Sequence, residues 1–179
     1  VSILAGTDIN TLEKIAPLAS IIRIMPNMAA QLSKSTTLLT CNTQTKPQTK
    51  ETVLSLLRGI GDTFEINENL MDVGTALCGS GPAFIYYIID SLTKGATAEG
   101  LPQQESLSLC LHMIKGATAL LEQSNLPIET LITQITSPKG TTEAGLTTLK
   151  QEQVAEKVQQ CIHSATQRAK DLAKKGKKE

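Results

Sequence analysis

Hydrophobic and polar positions alternate in the first third of the chain and then change period. Ile21-Ile22-Arg23-Ile24-Met25 reads as a short buried strand, and so does the Thr- and Leu-rich stretch 36–41. Residues 1–4 form a third apolar run. Between that run and Ile21 the pattern predicts a helix opening at Thr7-Asp8, where either side chain can cap the first turn. A second helix is expected from Pro47 to Arg58, with Pro47 at a first helical position and Val53, Leu54, Leu56 and Leu57 as its apolar face. Gly59 and Gly61 end it, and residues 63–66 are the next strand. The order strand, helix, strand, strand, helix, strand predicts an α/β region with a largely parallel sheet.

Beyond about residue 67 helical spacing takes over. Residues 83–97 are one candidate helix, with Pro82 tolerated in its first turn. Residues 103–123 are the next, carrying Leu107, Cys110, Leu111, Ile114, Ala117 and Leu121 at helical intervals. The clearest stripe is the last: Val154, Val158, Cys161, Ile162, Ala165, Ala169 and Leu172. The expected fold class is therefore α/β then all-α. The division is placed at residues 1–66 and 67–179, and Lys174-Lys175-Gly176-Lys177-Lys178 is read as a solvated tail.

Composition narrows the function classes. Seventeen basic residues balance 17 acidic ones, which removes the electrostatic case for nucleic-acid binding. The longest apolar run, residues 83–89, is far shorter than the roughly 18 residues that span a bilayer, so no membrane role is expected. With two Phe, two Tyr and no Trp, the core has to be aliphatic, and base stacking has few platforms. Cys41, Cys78, Cys110 and Cys161 are scattered without a C-x-x-C pair, so no metal site is expected; reduced thiols of a cytoplasmic protein are. His112 and His163 read as packed or solvated side chains. The chain opens on Val1 and directly in an apolar run, which points to a preceding part.

Three segments look chosen for chemistry. Met25-Pro26-Asn27 lies at the carboxyl end of a predicted strand, where open α/β sheets bind ligands, and Ala5-Gly6 shares that edge. Small residues there would let a flat ring approach the backbone. Strand ends also carry Gly, Pro and Asn simply as turn formers. Cys78-Gly79-Ser80-Gly81-Pro82-Ala83 is neither a nucleophile elbow nor a Walker loop. Its glycine amides before a helix start suit an anion, while a tight helix crossing explains the small residues equally well. Ser137-Pro138-Lys139-Gly140-Thr141-Thr142-Glu143-Ala144 precedes another apolar helical pattern and offers hydroxyls, amides and a lysine, either as an anion cradle or as an ordinary helix cap.

In this order and spacing, A-G, M-P-N, G-S-G-P-A and S-P-x-G-T-T resemble the pyrroline-5-carboxylate reductases over nearly the whole chain. The resemblance implies the C-terminal part of a Rossmann-type parallel-sheet domain followed by a helical dimerisation domain. It implies reduction of 1-pyrroline-5-carboxylate to L-proline by NADPH or NADH, in a homodimer or ring of dimers. It assigns Ser137, Gly140, Thr141 and Thr142 to the substrate, with Thr142 as the catalytic hydroxyl at the ring nitrogen. Ala5, Gly6, Met25, Pro26, Asn27, Gly79, Ser80 and Gly81 are assigned to the border of the cofactor. Such an imine accepts hydride well once protonated, which a hydroxyl at its nitrogen can assist.

The chain departs from the family pattern in places. No G-x-G-x-x-G turn for the pyrophosphate is present. Lys139 stands where the family usually has glycine, Cys78 where serine is usual, and Gly74 where alanine is usual. Lys139 either strengthens anion binding or blocks the turn if a positive φ is required. The alternative to an enzyme is a catalytically inactive fragment acting only as a helical dimerisation module.

Overall fold

The computed structural model describes residues 1–175, so the lysine tail beyond Lys175 lies outside the described residues. The chain divides into two compact units, residues 1–82 with 159–179, and residues 83–158.

The first unit is built on a three-stranded sheet in the order β1 (Ile22–Met25), β2 (Ser35–Cys41), β3 (Gly61–Glu65). The strands β2 and β3 pair in parallel, from Ser35↔Gly61 to Leu39↔Glu65. Ser2 adds a parallel bridge to Arg23, with Ser2 N–H donating to the Ile22 carbonyl at 2.8 Å and Ile24 N–H to the Ser2 carbonyl at 2.8 Å. Between β1 and β2 the pairing is antiparallel, Ile22↔Cys41 to Met25↔Leu38, so the sheet is mixed where a largely parallel one was expected. The connection explains the difference. Residues 26–34, which include the 3₁₀ turn Met28–Leu32, are too few for a crossover.

Period-2 alternation sorts the side chains onto two faces. Ile22, Ile24 and Leu39 pack with Val53 and Leu57 of α2 (Pro47–Leu57), whose Pro47 occupies the first turn as expected. Met25 and Leu38 face the other way, onto Met71. Each of these buried side chains contributes up to about 1.5–3 kcal/mol of apolar burial. On β1 the position between Ile22 and Ile24 is charged: Arg23, with a side chain only 3% exposed. Its partner is Glu68, in the 3₁₀ turn Glu68–Leu70, at 2.8 Å. The same Glu68 oxygen accepts the backbone N–H of Ile9 at 3.0 Å. That N–H belongs to the first residue of α1 (Ile9–Ile15), which Asp8 caps by accepting from Thr11 N–H at 2.8 Å.

α3 (Met71–Gly74) passes into a π-helical turn, Thr75–Gly79, and then into α4 (Gly81–Ala98). The second unit carries α4 onward, α5 (Gln103–Gln123), α6 (Ile128–Gln134) and α7 (Thr141–Gln151). α8 (Val154–Lys175) closes the described chain. Within residues 83–158 only Thr93, Ser106 and Cys110 are buried among the described residues, while Tyr86 and Tyr87 are 65% and 73% exposed. The helical unit thus has almost no core of its own.

Candidate functional site

Backbone geometry brings two of the three segments together. β1 ends at Met25, and Asn27 then holds three groups at once. Its N–H donates to Ser35 Oγ at 3.1 Å, its Oδ1 caps the 3₁₀ turn by accepting Ala29 N–H at 3.0 Å, and its Nδ2 donates to the Cys78 carbonyl at 3.1 Å. The M-P-N segment is therefore tied to the C-G-S-G-P turn. The π-helical turn Thr75–Gly79 leads into it, with Ser80 N–H donating to the Thr75 carbonyl at 3.0 Å and the Thr75 hydroxyl to the Met71 carbonyl at 2.7 Å. π-turns of this kind concentrate at functional sites. Gly81 has nothing within 4 Å of where a Cβ would stand, so the turn presents open backbone there. Burial pushes the Cys78 thiol up from its ordinary pKa.

Ala5 and Gly6 have a different neighbourhood. Gly6 is left-handed (φ 74°), and a Cβ on it would lie 3.1 Å from the backbone of Leu172 and Ala173 on α8. Gly6 is small because a helix backbone rests on it. No local signal reveals this contact, since its two sides lie at opposite ends of the chain.

Ser137, Gly140, Thr141 and Thr142 belong to the second unit and form the loop that opens α7. Gly140 is the N-cap residue, and its N–H donates to the Ser137 carbonyl at 3.0 Å. A Cβ on Gly140 would meet the Ser137 hydroxyl and come within 3.0 Å of the Ser137 carbonyl oxygen, so a larger residue would require the Ser137 side chain to turn away. Lys139 sits at φ 59°, so the turn does take a positive φ and the lysine adopts it. Its N–H is held by Glu143 Oε2 at 2.6 Å. Glu143, three residues after the N-cap, stands at capping-box spacing, a signal that was legible and not used. No side chain caps α7 at Gly140, so the first-turn amides of Thr141 and Thr142 point outward beside two hydroxyls. A helix start of this build grips a carboxylate. Ser137 and Thr141 are exposed and Thr142 is half-buried.

An α/β unit with ligand-edge loops, followed by a helical unit almost without a core, defines a protein of two-part, α/β-then-helical build. A family model described as pyrroline-5-carboxylate reductase dimerisation matches residues 68–172. The chain is 36% identical over 173 residues to pyrroline-5-carboxylate reductase 2 of Bacillus subtilis, covering 96% of this chain and 62% of that protein. Among solved structures, it matches the Plasmodium falciparum pyrroline carboxylate reductase with NADP bound at a TM-score of 0.93 and 29% identity, over 96% of this chain and 70% of that one. The 1-pyrroline-5-carboxylate reductase of Streptococcus pyogenes matches at a TM-score of 0.92 and 33% identity, over 95% and 66%. The chain belongs to the pyrroline-5-carboxylate reductase family, and its α/β-then-helical fold class is the one expected. It spans 62–65% of the length of the curated relatives it matches. Among the described residues, no helix is long and apolar enough to cross a membrane.

Proposed function

We propose that the protein is an NAD(P)H-dependent oxidoreductase that reduces 1-pyrroline-5-carboxylate to L-proline, the last step of proline biosynthesis. The observation that carries this reading is the Ser137–Gly140–Thr141–Thr142 loop at the start of α7, inside the stretch matched by the family model. In this proposal the outward amides and the Ser137 hydroxyl hold the substrate carboxylate, the one strong handle on so small a molecule. Thr142 stands at the ring nitrogen and orients the iminium. The nicotinamide, when bound, supplies a hydride. The residues around the expected cofactor edge fit a flat ring at Gly81, where the backbone is open, and Met25, Pro26, Asn27, Gly79 and Ser80 complete that border. Ala5 and Gly6 keep their place in the proposal through the Ala5 side, since the Gly6 side is covered by α8.

The functional division follows residues 1–66, for the nucleotide-binding part, and 67–179, for substrate binding and dimerisation. The family-model match beginning at residue 68 supports it. The proposal includes a homodimer, or a ring of dimers, formed through the helical part, whose exposed Tyr86 and Tyr87 and sparse core call for a partner surface. It also includes a cytoplasmic setting, which the free state of all four cysteines favours.

The test is imine-dependent oxidation of NADPH by the protein and its Thr142→Ala variant. Loss of the hydroxyl should lower turnover about 10²-fold while sedimentation shows an unchanged assembly. Equal turnover in both would remove Thr142 from its role. One observation favours a second reading, a helical dimerisation module without catalysis: the matching family model over residues 68–172 is described by dimerisation. Assembly without any imine-dependent oxidation would select it.

A further inference from the structure

Pro82 creates a local deficit that the sequence alone does not show being filled. As the α3–π-turn–α4 segment winds on, the Cys78 carbonyl would ordinarily accept the N–H of the residue four places ahead. That residue is Pro82, which has no N–H. The donor that reaches this carbonyl comes from another element altogether, the Asn27 side chain, at 3.1 Å. We propose that Asn27 is a positioning residue: its side-chain amide replaces, at the Cys78 carbonyl, the hydrogen bond that Pro82 cannot give, and so fixes the Gly79–Ser80–Gly81 turn to the end of β1.

Three features make Asn27 fit to hold the turn. Its own backbone is anchored, because its N–H binds Ser35 Oγ, and that hydroxyl lies 3.0 Å from Thr37 Oγ1 in a fully buried pair. Its Oδ1 is committed to Ala29 N–H, so the amide plane cannot swing away without uncapping the 3₁₀ turn. Its Nδ2 is thereby aimed at one acceptor. No other residue type serves both ends: Asp lacks the donor, Ser and Thr are too short, and Gln adds a rotor and a methylene. The M-P-N and G-S-G-P motifs then form one structural device, in which Asn27 and Pro82 compensate each other. The consequence for catalysis rests on the reading that the Gly79–Gly81 turn borders the nicotinamide. There Asn27 acts through the turn, and an ångström of drift would lower turnover.

The experiment compares Asn27→Ser, Pro82→Ala and the double variant of the full chain by amide hydrogen exchange. Serine preserves a cap for Ala29 and cannot reach Cys78, whereas alanine at 82 restores the missing N–H. Losing one hydrogen bond should speed exchange at Ser80 and Gly81 about tenfold in Asn27→Ser. Pro82→Ala alone should exchange no faster than the unsubstituted chain, and the double variant should return to within about threefold of it. Asn27→Asp, which keeps the oxygen for Ala29 and loses the donor, should loosen the same amides if serine proves a poor cap. Unchanged exchange in Asn27→Ser and Asn27→Asp, or a double variant as loose as Asn27→Ser, would overturn the proposal. Reductase turnover measured on the same samples separates the two readings. If the unsubstituted chain shows none, the proposed activity fails while the exchange pattern still decides the role of Asn27. If it is active, Asn27→Ser should lower kcat with little change in KM for the imine, and Pro82→Ala should recover much of it.

Discussion

Replacing Glu68 by alanine should be among the most damaging single changes in the α/β unit. Its carboxylate serves two donors through one oxygen: Arg23 Nη1 at 2.8 Å and the Ile9 N–H at 3.0 Å. Arg23 is 3% exposed, so Glu68→Ala removes the ion-pair partner of a buried guanidinium. Breaking such a pair from one side typically costs about 3–5 kcal/mol. Two observations pull the figure to the lower end. Glu68 is itself 29% exposed, and Arg23 Nε and Glu68 Oε2 have no partner, so the bridge rests on a single contact. The loss of the acceptor at the start of α1 adds about 1 kcal/mol. The expected total is about 4 kcal/mol, approaching a thousandfold in the unfolding constant. Urea unfolding followed by far-ultraviolet circular dichroism measures it as a fall in midpoint at constant slope. The paired replacement Arg23→Met with Glu68→Leu removes both charges and should lie well above Glu68→Ala in stability, because two apolar side chains need no counter-charge there. A cost below 1 kcal/mol for Glu68→Ala, or a double variant weaker than either single one, would refute the reasoning.

Two further changes test the geometry elsewhere. Gly61, at φ 136°, lies in register with Ser35, and a Cβ there would meet Ser35 N and O at 2.3 Å. Gly61→Ala should therefore cost about 3 kcal/mol or more, and a melting curve matching the unsubstituted protein would show that β2 and β3 can separate at no cost. The Cys78 thiol, raised by burial, holds its proton to higher pH than a free thiol. Its alkylation near pH 8 should lag behind that of a small thiol, and the gap should narrow as the pH rises. Equal rates at pH 8 would contradict the burial.

Element order was legible because each signal is local. Pro47 marks the start of α2, Asp8 caps α1, and the alternation of Ile22, Arg23 and Ile24 marks β1. The helical unit was legible in the same way, with α5 falling on residues 103–123 as its apolar spacing requires. The direction of β1 against β2 was misjudged because strand pattern is blind to direction. Only the shortness of the link over residues 26–34 distinguishes an antiparallel pair from a crossover. Gly6 against α8, and Arg23 against Glu68, join residues far apart in sequence, and no local pattern carries such a pairing.

The loop before α7 shows where type and spacing stop being sufficient. Lysine at 139, where the family usually has glycine, left two outcomes open: a strengthened anion site or a blocked turn. The structure decides the second question, because Lys139 takes the left-handed conformation at φ 59° and the loop closes, with Gly140 N–H on Ser137 O. A non-glycine residue in that region costs on the order of 1 kcal/mol. The compensation is the charge-assisted bond from its N–H to Glu143 at 2.6 Å, worth about 0.5–1 kcal/mol at this exposed place. Glu143 thus supports a turn that glycine would form unaided, and the two positions are coupled. The Glu143 carboxylate also places a negative charge in the first turn of α7, at the positive end of the helix dipole. Lys139 and Glu143 therefore act together: the left-handed backbone of one is held by the carboxylate of the other.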